Sequence, residues 1–111
     1  MDSLKMVKFQ WEYSAYSDIL HIHKKGFHTL GSVEFGDFTL DFGKNDEVVG
    51  LEIEHASDFF GNVDIDKKAL GKIQNATFII DMRNSKFQVI FLSLEFPGFV
   101  KKIPMPLPVV S

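Results

Sequence analysis

Along the first half of the chain apolar and polar residues alternate with a period of two, the spacing of strands covered on one face. In Met6-Val7-Lys8-Phe9-Gln10-Trp11-Glu12-Tyr13, the residues Val7, Phe9, Trp11 and Tyr13 share one side. A polar connection, Ser14 to Ser17, leads into a second strand over Asp18 to His23, which Lys24-Lys25-Gly26 breaks. A third short strand runs from Ser32 to Phe35 and stops at Gly36. The stretch GDFTLDFGKNDEVVGLEIEHAS, Gly36 to Ser57, then reads as a hairpin about Asn45-Asp46, residue types that tolerate the positive φ of a tight turn. That turn pairs Phe42 with Val49, Leu40 with Leu51 and Phe38 with Ile53, apolar against apolar each time. A slip by one residue would turn one strand's apolar set to water, so this register is selected.

The period then changes. His55 to Phe60 fits a helical turn or two ending at Gly61, and Ile65 to Ile73 fits a short helix with Asp64 as N-cap and Ile65, Ala69 and Ile73 on one face. Asn75 to Arg83 and Phe87 to Phe96 read as a second hairpin around Asn84-Ser85, pairing Met82 with Phe87, Ile80 with Val89 and Phe78 with Phe91. Both faces of these strands are apolar (Phe78-Ile79-Ile80, then Val89-Ile90-Phe91-Leu92), as in strands covered on two sides. The tail from Pro97, PGFVKKIPMPLPVVS, holds every proline of the chain, which excludes helix and central strand. Its apolar character excludes a mere solvated linker, so it packs on its own sheet or on a second subunit.

Composition adds class and compartment. A chain of 111 residues with 45% hydrophobic residues is most simply one domain, drawn here as a β-rich unit over 1–96 with a Pro-rich apolar arm over 97–111. Twelve Phe against one Trp and two Tyr make its core rich in Phe. The absence of Cys excludes disulfides, thiolate zinc sites and a cysteine nucleophile, and fits a cytoplasmic location. The first residues carry no signal-peptide pattern, and no apolar run reaches the ~20 residues that span a bilayer, so no membrane is expected. With a net charge of −3, bulk attraction to nucleic acid is not expected either.

Two segments resemble a known family. Tyr13-Ser14-Ala15-Tyr16-Ser17-Asp18-Ile19-Leu20-His21-Ile22 and Glu47-Val48-Val49-Gly50-Leu51-Glu52-Ile53-Glu54-His55-Ala56-Ser57 resemble the domain of unknown function 2283 family, over about residues 11 to 60. Ser14, His21 and Asn45-Asp46 depart from that family's usual Asp, Tyr and Asp-Gly. The resemblance implies a small, mainly antiparallel β fold and no catalytic residues. Because some bacterial members sit beside toxin-like genes, it also suggests an antitoxin-like role.

The candidate chemistry lies in three places. Asp37, Asp41, Glu52 and Glu54 fall on one face of the first hairpin, with Asp37 opposite Glu54, where like charges repel unless a cation or a partner offsets them. A charged, solvated sheet face is the simpler reading of the same residues. His21 and His23, two apart on a strand, point the same way and offer imidazoles to a divalent metal, with His28 or His55 as a third ligand. His21 also stands where the resembled family has an aromatic residue, which makes a structural role the simpler one. Lys24, Lys25 and His28 form an anion patch with these histidines, and Lys67, Lys68 and Lys72 a second basic cluster. No nucleophile elbow, P-loop, dinucleotide fingerprint or H-E-x-x-H motif occurs.

The expected class is therefore α+β, mainly β: antiparallel hairpins with one or two short helices between the N-terminal strands and a C-terminal hairpin. The expected function is a non-catalytic protein-interaction or regulatory module, self-associating as a homodimer with Phe-rich packing and open to a protein partner. The alternative is a metal- or anion-binding protein or small enzyme using the His21/His23 region or the Asp37/Glu52/Glu54 face. No cofactor is expected beyond a divalent metal in that alternative.

Overall fold

The alternating segments become strands of two antiparallel sheets in the computed structural model, which describes residues 7–84 and 87–108. The first half forms β1 (Phe9–Ser14), β2 (Ile19–Lys24), β3 (Gly31–Phe35), β4 (Phe38–Phe42) and β5 (Val48–Ile53). Helices α1 (Ala56–Gly61) and α2 (Lys67–Leu70) follow, then β6 (Asn75–Asn84), β7 (Phe87–Phe96) and β8 (Phe99–Pro108). The first sheet has the order β1-β2-β5-β4-β3 and the second β6-β7-β8, so the class is α+β and mainly β.

Period-two patterning decides which faces meet. Leu20, Ile22, Leu40, Leu51 and Ile53 turn the inner face of the first sheet toward Ala76, Phe78, Ile90, Leu92, Leu94, Ile103 and Met105 of the second. Phe60, Ile65 and Leu70, from the helical segment, join the same buried cluster. The ring of Phe9 meets that of Phe78 edge-on at 5.0 Å, where β1 reaches β6.

The first hairpin keeps the expected pairs Leu40–Leu51 and Phe38–Ile53, but Phe42 pairs with Val48 rather than Val49. A bulge between Asp41 and Phe42 accounts for the change, since it places one extra residue in the ladder next to the turn. Asn45 and Asp46 both have positive φ, 61° and 59°, as the turn chemistry requires.

Elsewhere the expectations need correction. β1 starts at Phe9; Val7, expected in the strand, is 43% exposed, and Met6 lies outside the described residues. The second helix is only Lys67–Leu70, capped by Asp66 and not by Asp64. Asp66 has extended backbone and its Oδ1 accepts the Ala69 N–H at 2.9 Å, whereas Asp64 takes a left-handed turn conformation at φ 64°. The second hairpin is shifted by one residue: Phe78 pairs with Leu92 and Ile80 with Ile90. With apolar residues on both faces, a one-residue slip costs little by pattern alone, so the pattern could not choose the register. The expected turn includes Ser85, which lies outside the described residues.

The proline-rich tail pairs with β7 of its own chain as an edge strand. Pro104, Pro106 and Pro108, two residues apart, lie opposite Phe91, Val89 and Phe87. Proline has no N–H to give a ladder, and alternate residues of an edge strand aim that group away from the neighbour. All three therefore fall where a donor would face outward.

Candidate functional site

The outer face of the first sheet gathers the polar residues that alternation excludes from the core. One cross-strand row reads Gln10, His23, Gly50, Asp41, Ser32, and the next reads Glu12, His21, Glu52, Thr39, Glu34. At the centre, Asp41 accepts a hydrogen bond from Ser32 Oγ at 2.8 Å and lies 3.3 Å from His21 Nε2. Gly50 leaves room for this arrangement: a Cβ there would meet Asp41 Oδ2 at 2.6 Å and His23 Cδ2 at 2.8 Å. Toward β1 the face opens into a shallow depression of about 370 Å³ lined by Gln10, Trp11, Glu12, His21 and His23.

The two imidazoles come together edge-to-face, ring centres 5.8 Å apart. His23 already has partners at both ring nitrogens. Its Nδ1 lies 2.8 Å from the Lys24 carbonyl oxygen, which can only accept, so Nδ1 carries the proton. Nε2 is then the acceptor for Thr29 Oγ at 3.1 Å. A metal at His23 would displace Thr29, which makes this a hydrogen-bonded pair before it is a ligand pair.

The four carboxylates split into two groups. Asp41 and Glu52 stay with His21, while Asp37 and Glu54 meet His55 at the end of the sheet. Ligand-type atoms of Asp37, Glu54 and His55 all lie within 4.8 Å of one another, and all three residues are exposed. The hydrogen bond to Asp37 (Nδ1 to Oδ1, 3.2 Å) and its charge raise the His55 pKa above the ordinary imidazole value, with Asp58 and Glu54 adding to the effect. Protonated His55 thus offsets the repulsion between Asp37 and Glu54. Because the folded value is the higher one, this stabilisation is complete below the ordinary imidazole pKa and is lost as pH rises through the raised value. An NMR titration of the imidazole protons is expected to show His55 moving down toward the ordinary value in Asp37→Asn. An unmoved titration would mean that the pair does not form in solution.

The residues of the expected anion patch, Lys24, Lys25 and His28, lie at and just after the end of β2. Lys24 extends over the rings of Phe27 and Phe78, 5.7 and 5.9 Å from their centres, while Lys25 and His28 are exposed. Among the described residues no ion pair involves any of the three.

Sequence reading missed the tightest polar cluster. Asp18, at φ 58° in the β1–β2 turn, accepts from Tyr13 Oη at 2.7 Å, from the Ser57 N–H at 3.0 Å and from Ser57 Oγ at 2.6 Å. Its own carbonyl accepts the Ala56 N–H at 2.9 Å, so this one residue ties the β1–β2 hairpin to the start of α1. Burial pulls the carboxyl pKa up, but the hydrogen bonds from Ser57 and Tyr13 outweigh it and, with Lys67, hold it below the ordinary value. Burial, the hydrogen bond to Asp18 and its charge push the Tyr13 phenol the other way, up. The available signal was the pair of segments carrying the family resemblance, which contain Tyr13 and Asp18 in one and Ala56-Ser57 in the other.

No helix among the described residues is long and apolar enough to cross a membrane. No family model matches the chain, and no solved structure matches it. The uncharacterized protein MJ0789 of Methanocaldococcus jannaschii is 31% identical over 85 residues, taking in 69% of this chain and 72% of that protein. The match takes in most of both chains, and the chain belongs to the family of this archaeal protein.

Proposed function

We propose that the chain is a non-catalytic interaction module that self-associates as a homodimer through the outer face of its second sheet. The observation that carries this reading is a cross-strand row of apolar residues, Ile79, Phe91 and Pro104, on the side of β6–β8 turned away from the core. Ile79 is 67% exposed, and Phe91 opposite it is half-buried. Apolar faces of this kind mark contact surfaces, and a face that meets its own copy about a two-fold axis closes after one contact. The polar face of the first sheet contrasts with it, because His21 is already hydrogen-bonded to Asp41, His23 to Thr29 and the Lys24 carbonyl, and Asp41 to Ser32. A metal or anion site at His21 and His23 is the second reading, favoured by the approach of the two rings and opposed by the engagement of both His23 nitrogens.

The same reading extends to a cytoplasmic location for a chain without cysteine. It extends also to kinship with the domain of unknown function 2283 family, whose two resembled segments Asp18 joins.

Light scattering tests the assembly. The parent is expected at twice its 12.6 kDa chain mass and Ile79→Asp at 12.6 kDa, with unchanged far-UV circular dichroism. A parent that stays at the chain mass at the highest concentration reached would overturn the dimer.

A further inference from the structure

The helical segment ends beside the turn between β7 and β8, and the two bound a second depression of about 290 Å³. Its lining includes Lys68, Lys72, Asp66, Phe96 and Phe99. Pro97 and Gly98, the latter at φ 87°, form the tight turn that sets Phe96 opposite Phe99. Their rings stack, centres 4.8 Å apart and planes within 17°. Phe96 is anchored in the core at 4% exposure, whereas Phe99 lies over it at 48%. One ring is thus held flat with an open face beside two exposed lysines that form no ion pair among the described residues. Asp66, the one carboxylate of the lining, accepts the Ala69 N–H at the start of α2.

A flat apolar ring with two free cations selects a ligand that is flat at one end and anionic at the other. We infer that this depression is a nucleotide site, in which a base stacks on Phe99 and its phosphates meet Lys68 and Lys72. The volume falls just below the ~300–1,000 Å³ usual for small-ligand pockets, which limits the ligand to a small one with part of it in solvent. Stacking accepts any base, because every base has a π-face. Phe99 is on the core-facing side of β8, opposite to the Ile79 face, so this inference stands apart from the dimer reading.

ATP is the probe, titrated into the full chain at low salt and followed by two-dimensional NMR. Saturable shifts are expected at Phe99, Lys68 and Lys72, with adenosine and inorganic tripolyphosphate each binding at least ~tenfold more weakly. Phe99→Leu keeps an apolar side chain but removes the flat ring, and is expected to weaken ATP about tenfold. The double change Lys68→Gln and Lys72→Gln, at exposed positions that fold does not depend on, is expected to weaken ATP and flatten its salt dependence. No saturation at millimolar ATP would overturn the site. So would tripolyphosphate binding as tightly as ATP, which makes it a plain anion patch, or a single-stranded oligonucleotide binding where ATP does not.

Discussion

Phe60→Ala is expected to lower stability by about 3–5 kcal/mol, the range for emptying a fully buried phenylalanine site. Phe60 has no exposed surface and is, among the described residues, the largest side chain enclosed so completely. Its ring meets Phe59 edge-on at 4.9 Å, and Phe59 meets Phe38 of the first sheet at 5.1 Å, so the pair fastens α1 to β4. A helix of six residues is too short to hold itself together in water, and its order depends on this packing. The cavity would lie where the helical segment joins the core cluster of both sheets. Urea unfolding followed by circular dichroism should show a lower midpoint with an unchanged slope, and a melting temperature lower by roughly 15–25 °C. A loss under ~1 kcal/mol, the scale of an ordinary surface change, would mean that the ring is not enclosed.

Asp18→Ala comes next, at about 3 kcal/mol. The substitution removes one acceptor carboxylate that serves three donors, and hydrogen bonds to a charged group contribute roughly 1.5–3 kcal/mol each without adding fully. Alanine is also strained at φ 58°, where Asp and Asn are tolerated. Asp18→Asn separates the two effects, because it keeps the backbone preference and loses the charge. The pH dependence has a fixed sign. The folded carboxyl pKa lies below its unfolded value, so the stabilisation is complete above the ordinary carboxylate range and lost as pH falls through the folded value. Acid titration of stability should therefore fall less steeply in Asp18→Asn than in the parent. Parallel curves would show that Asp18 does not carry the link between hairpin and helix.

What could be read from sequence followed the range of the interaction. The β4–β5 register was legible because each apolar pair, Leu40–Leu51 or Phe38–Ile53, has a polar neighbour that penalises a slip. In β6–β7 the residue between Phe78 and Ile80 is the apolar Ile79, and Val89 to Leu92 opposite are all apolar, and the register came out one residue away. Asp66 rather than Asp64 capped α2 because the choice depends on backbone angles set by the preceding turn, where the Val63 and Ile65 N–H groups both bond the Phe60 carbonyl. Of the candidate residues, His21 and His23 were placed together correctly, and Asp37 opposite Glu54 as well, since strand alternation alone governs both. Their hydrogen-bond partners were not legible. Thr29 reaches His23 from the loop after β2, Asp41 reaches His21 from β4, and Ser57 reaches Asp18 across 39 positions of sequence.

The alternating prolines of β8 separate two kinds of cohesion. An open strand edge recruits further strands without limit, because each added strand exposes a new edge, and this is the geometry of fibril growth. Along β8 three successive docking points have no hydrogen to offer, while the adjoining face keeps Ile79 in the open. Growth through the β8 edge is thereby disfavoured, while the flat face stays open to contact. A Pro104→Val, Pro106→Val variant would restore two of those three hydrogens and turn most of this edge into a template for aggregation.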